Sequence, residues 1–143
     1  MKLKAYIATR FEDRGKVYRL ERNLRDSPFE VISTWHLRNR RKKFDPTQEA
    51  QIDLQELSDA SVLLVLAVKK KVRGGYLFES GFAHARGKPI YLIGESEVVF
   101  FKLIPRKRRF RSVKEFVRFA KASGSQAPAG ELLHLMRRSP ADA

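Results

Sequence analysis

Apolar runs and stretches of helical spacing alternate along most of this chain. Residues 3–9 alternate between apolar and polar side chains and predict a first, central strand. Glu12 and Asp13 are suitable caps for a helix running to about Leu24, whose buried stripe is Val17, Leu20 and Leu24. Ser27-Pro28 breaks it, residues 29–33 form a short second strand, and residues 34–44 form a loop. Asp45-Pro46 opens a second helix over about residues 46–57, with Ile52, Leu54 and Leu57 as apolar contacts. Residues 61–68, rich in Val and Leu, predict a strand buried on both faces. Gly74 and Gly75 allow a tight turn, and residues 76–86 show helical spacing, with Phe78, Phe82 and Ala85 on one stripe. Gly87 closes that helix and Pro89 stops it, and residues 90–93 form a fourth strand.

Beyond Glu95 the pattern weakens. Residues 98–104 read as a short strand or an irregular apolar segment, and residues 105–111 are basic. Ser112 caps a last helix over about residues 113–122, packed through Val113, Phe116, Val117 and Ala120. Residues 123–130 are rich in Ser, Gly, Ala and Pro, and residues 131–138 read as a short helix outside the core. The expected organisation is one domain over residues 1–122 and a flexible tail over residues 123–143.

Strands alternating with helices imply an α/β fold with helices on both faces of a parallel sheet. The expected architecture is a Rossmann-like, flavodoxin-type three-layer sandwich of four or five strands, order 2-1-3-4(-5). The switch point of such a sheet lies between strands one and three, at their C-terminal ends. Thr9-Arg10-Phe11 and residues 69–75 therefore converge on one crevice, with Glu79 at its floor. In the first turn of its helix, Glu79 is expected to be held ionised by the helix dipole. Such a carboxylate serves as nucleophile, base or hydroxyl acceptor, or simply complements the dipole.

Composition narrows the chemistry. The chain has 143 residues, enough for one domain with a real core, and no cysteine, which removes disulfides and thiolate metal sites. No apolar run reaches membrane-spanning length and no signal-peptide pattern opens the chain, so a cytoplasmic protein with no membrane partner is expected. Three scattered histidines lack metal spacing, and neither a P-loop nor a GxGxxG is present, so neither metal nor cofactor is expected. His84 lies away from the Glu79 face. The formal net charge of +14 points to an anionic partner: a nucleotide, a nucleic acid or an acidic protein. Two basic runs, residues 38–43 and 105–111, are read as solvated surface or as contacts to phosphates. Trp35 and His36 follow the second strand, as a lid that stacks on a base or as structural loop residues.

Three groups of residues carry a family resemblance. They are Tyr6-Ile-Ala-Thr-Arg-Phe11, Asp53-Leu54 followed by Ser58-Asp-Ala-Ser61, and Gly75-x-x-x-Glu79-x-Gly81-x-Ala83-x-Ala85-x-Gly-Lys-Pro89. Together they resemble the nucleoside 2-deoxyribosyltransferase family and the related 2'-deoxynucleoside 5'-phosphate N-hydrolases, over residues 2–93. Phe110-x-Ser112-x-x-Glu115-Phe116 fits a common ending of that family. The resemblance implies cleavage or transfer at the N-glycosidic bond of a 2'-deoxynucleoside or its 5'-monophosphate. It assigns Glu79 as the nucleophile that forms a deoxyribosyl ester and Asp53 as a second acid. Tyr6, Thr9, Arg10 and Phe11 would line the sugar and base pocket, and amides of Gly74 and Gly75 would hold a hydroxyl or a 5'-phosphate. It also implies a homo-oligomer.

Two departures bear on that assignment. Arg73 stands where the transferases usually carry an Asp, and Ser61 where they commonly have another. An arginine does not donate a proton, but it binds a phosphate or a purine carbonyl. This favours a hydrolase of phosphorylated substrates, or a non-catalytic nucleotide-binding or nucleic-acid-associated module.

Overall fold

A computed structural model describes residues 2–38, 45–69 and 75–125. Five strands form one parallel sheet in the order β2-β1-β3-β4-β5: β1 Leu3–Ala8, β2 Phe29–Val31, β3 Val62–Leu66, β4 Ile90–Ile93 and β5 Arg109–Phe110. The α/β three-layer sandwich and the strand order are those expected. All five residues of β3 are buried, as a strand paired on both edges and covered on both faces requires.

Four helices cover the sheet: α1 Arg14–Asn23, α2 Pro46–Asp59, α3 Gly75–Ala85 and α4 Val113–Ser125. Helix α1 packs beside α4, and α2 beside α3, which gives the two outer layers. Val17, Leu20 and Leu24 are buried under α1 as their spacing predicts. Under α4, Phe116 and Phe119 meet Phe29, Tyr91 and Phe110 in an aromatic cluster. Local caps follow the sequence signals. Asp45 accepts from the Thr47 and Gln48 amides, and Ser112 Oγ accepts from the Glu115 amide while Glu115 accepts from the Arg111 amide. Gly87 closes α3 in the left-handed conformation at φ +68°.

Several expectations are corrected. Asp13 makes no side-chain cap to α1; its carboxylate is taken by Arg10 and Lys16. Helix α3 packs through Tyr76, Ser80 and Ala83, and Phe78, about 200° around the helix from Tyr76 and from Ser80, is 65% exposed. In α2 only Leu57 is fully buried, while Ile52 and Leu54 sit at its margin. Residues 99–103 form 3-10 turns, the irregular one of the two readings of that stretch, and the edge strand β5 falls within the basic stretch that follows. A 3-10 turn, Trp35–Leu37, interrupts the loop after β2. Helix α4 runs on to Ser125, and Ser123, placed in the tail by composition, is buried with its hydroxyl donating to the Phe119 carbonyl. Among the described residues no helix is long and apolar enough to cross a membrane.

Candidate active site

The C-terminal ends of β1 and β3 are tied together by side chains that leave them. Thr9 Oγ1 donates to the Leu66 carbonyl at 2.9 Å. Ser33 Oγ accepts from the Ile7 amide at 3.0 Å, and Trp35 Nε1 donates to the Ile7 carbonyl at 2.7 Å. These bonds fix the strand that carries Tyr6.

Tyr6 and Glu79 meet although 73 residues separate them. The Tyr6 hydroxyl donates to Glu79 Oε1 at 3.2 Å. Glu79 is the fifth residue of α3, not a first-turn acid, yet its side chain leans back toward the helix start. Its Oε1 would lie 3.6 Å from a Cβ at Gly75, so this glycine leaves the space beside the carboxylate clear.

The electrostatics reverse the expected sign. Burial, reinforced by the charge of Asp53 and opposed by the Tyr6 hydrogen bond, pushes the Glu79 pKa up to about 7. The helix dipole does not hold it ionised. Burial and the neighbouring Glu79 also push the Tyr6 phenol well above its usual range, so it stays a donor. Burial raises Asp53 as well, against the opposing pull of Arg38.

Asp53 stands in a row of acids on α2, Glu49, Asp53 and Glu56, spaced four and three residues apart. Arg38 turns inward between two of them and ion-pairs with both Asp53 and Glu49. Glu56 accepts from the Thr34 amide at 2.9 Å and from its hydroxyl. The acid row is visible in the sequence as helical spacing. Arg38 is not, because it heads a run of cations that reads as solvated surface.

The remaining candidates divide between rim and scaffold. Arg10 lies at the rim, paired with Asp13, and Phe11 packs 6.5 Å from Trp35 between ring centroids, with the Arg14 guanidinium over its face. Trp35 is 7% exposed and serves as scaffold, so little of its indole is left to stack on a base. His36 is buried, with Nε2 2.9 Å from Glu21, away from Glu79. Arg73 and Gly74 lie outside the described residues. Tyr76, next to Gly75 at the start of α3, carries a buried hydroxyl with no hydrogen-bond partner among the described residues; it feels the charge of Arg10. Among the described residues no group of three acids or histidines is placed to hold a metal ion.

No protein-family model matches the chain, and no curated protein matches it in sequence. Solved structures do match in shape. A conserved protein from Enterococcus faecalis V583 has a TM-score of 0.66 at 15% identity, covering 85% of this chain and 99% of that one. The CMP N-glycosidase BcmB of Clostridium botulinum has a TM-score of 0.59 at 19% identity, covering 81% and 95%. A 2-deoxyribosyltransferase from Bacillus psychrosaccharolyticus has a TM-score of 0.60 at 18% identity, covering 88% and 98%. The resemblance carried by the sequence motifs is thus met at the level of fold: this chain is built on the architecture of an N-glycosidase and a deoxyribosyltransferase.

Proposed function

We propose that this protein cleaves or transfers at the N-glycosidic bond of a 2'-deoxynucleoside or its 5'-monophosphate, with Glu79 as nucleophile. The observation that carries the reading is the part-buried Glu79 carboxylate, bonded to Tyr6 and within reach of the Asp53 charge at the sheet's switch point. In its ionised form, a Glu79 oxygen attacks the anomeric carbon as the bond to the base breaks. The base leaves with the bonding electrons and takes up a proton from Asp53 or water. Water, or a second base, then attacks the same carbon, displaces Glu79 and regenerates the carboxylate. Tyr6 holds the carboxylate and lowers its pKa toward the working range.

A 5'-phosphate finds charge and donors at the start of α3. Arg10, the amides of Gly74 and Gly75, Arg73 and the Tyr76 hydroxyl, which has no hydrogen-bond partner among the described residues, would share it. The net charge of +14 favours a second reading, nucleotide binding without catalysis, in which Asp53 serves to hold Arg38. Self-association belongs to the proposal too. An apolar groove of about 1010 Å³, which Glu79 does not line, runs between α3 and residues 98–105, where Leu77, Val99, Phe100 and Leu103 are exposed.

Release of free base from a panel of deoxynucleosides, their monophosphates and a ribonucleotide, CMP, tests the reading. The expected result is release that rises with pH through about 7 and falls by roughly a thousand-fold or more in Glu79→Ala. Wild-type rates in Glu79→Ala reject the nucleophile. Binding of a nucleotide with no base release selects the second reading.

A further inference from the structure

The charge of this molecule is sorted between its two helical layers. Helix α2 carries four acids, Glu49, Asp53, Glu56 and Asp59, and no lysine or arginine. Helices α1 and α4, side by side on the other face of the sheet, carry seven lysines and arginines against two acids. Both acids are engaged, Glu21 with His36 and Glu115 with the Arg111 amide. Arg25 and Arg111 add exposed cations at the ends of the two helices.

The arrangement follows from helical geometry. On α4 the buried residues are Phe116, Ala120 and Ser123, which leaves Lys114, Arg118 and Lys121 as the ridge that points outward. On α1 the buried Val17 and Leu20 leave Tyr18, Arg19 and Arg22 outward. Among the described residues no carboxylate pairs with Arg19, Arg22, Lys114, Arg118 or Lys121. Among the described residues Tyr18, 48% exposed, is the one exposed large apolar side chain of α1 and α4.

We propose that the outer face of the α1–α4 layer binds the phosphate backbone of nucleic acid, without regard to sequence. The axes of packed neighbouring helices lie roughly 8–10 Å apart, of the order of the groove widths of duplex DNA. The 13 residues of α4 extend about 20 Å, the length over which one DNA strand presents about six phosphates. An anionic membrane is the poorer partner, because Leu77, Phe78, Val99, Phe100 and Leu103 are exposed on and beside α3 and not on this layer. A second copy of the chain docking through the same layer is poorer still, since like charges would face each other. The site is independent of the chemistry at Glu79 and makes no use of the basic run at residues 38–43; of the run at residues 105–111 only Arg111 borders it.

The test is fluorescence anisotropy of the full chain with a labelled DNA duplex of about 20 base pairs, titrated between about 50 and 200 mM salt. Affinity should fall steeply and linearly with salt on logarithmic axes. The triple variant Lys114→Gln, Arg118→Gln, Lys121→Gln should flatten that slope by about 0.9 for each phosphate it no longer neutralises, with an unchanged thermal midpoint. The pair Arg19→Gln, Arg22→Gln should flatten it independently. No binding at the lowest salt, an unchanged slope in both variants, or preference for phosphatidylserine vesicles over the duplex would each overturn the proposal.

Discussion

Glu79 answers to two opposed demands, and the conflict has a measurable sign. Its folded-state pKa of about 7 lies above the ordinary 4.5. Between those values the folded chain keeps a proton that the unfolded chain has released, so stability falls as pH rises through that window. Above about pH 7 the loss is complete, at most about 3 kcal/mol. Glu79→Gln is neutral at every pH, so it should raise the thermal midpoint near pH 8 and change it little near pH 4. An equal shift at both pH values would show that the carboxylate's charge is not what strains the site. Tyr6→Phe removes the bond that lowers Glu79, so the rising limb of the base-release profile should move to higher pH. A limb left in place would mean that the hydroxyl does not tune the acid. Glu79, Tyr6 and Asp53 are legible in the chain as candidates; the direction of the Glu79 shift is not. A dipole argument uses only the acid's own helix, whereas the burial and the Asp53 charge come from the fold around it. Arg38 escapes notice for a related reason, since its acidic partners lie 11 and 15 residues further on.

Among elements, α2 owes its exit to a residue far from it in sequence. Lys88, 5% exposed, follows Gly87 and extends Nζ to the carbonyls of Ser58, at 2.9 Å, and Ala60. These lie at the C-terminal end of α2, where carbonyls lack helical partners. This gives the Gly-Lys-Pro segment a structural role, because the lysine ties the end of α3 to the end of α2. Lys88→Met keeps the apolar stem and removes the donor, so it should cost about 1–3 kcal/mol in urea unfolding. A midpoint equal to wild type would mean that water satisfies those carbonyls. The strands and helices that fill the core are legible through their period. The α3 stripe misleads because Phe78 is more hydrophobic than Ser80, yet Ser80 fits the close contact and returns its hydroxyl to the Tyr76 carbonyl at 2.7 Å. β5 is hidden in the sequence because a two-residue edge strand needs only one buried side chain, Phe110.

At the scale of the whole molecule, a net charge of +14 and an exposed apolar groove act against each other. Copies of the chain repel at low ionic strength, and salt shortens the range of that repulsion to about 10 Å at 0.1 M. Self-association through the groove should therefore strengthen with salt, opposite to binding of a polyanion. Sedimentation velocity across a salt series reads the difference, and Phe100→Asp should leave the chain monomeric throughout. Dimers that dissociate as salt is added would place the interface on charged surface instead.

Trp35 has a practical consequence. It is the one tryptophan in the chain, and its indole is hydrogen-bonded to the strand that carries Tyr6, beside Phe11 at the crevice rim. The tryptophan emission of this protein therefore comes from a single known position. Unfolding should shift that emission to the red as the ring meets water. A ligand that displaces Phe11 should change its intensity while the chain stays folded, so an unlabelled protein reports on its own crevice.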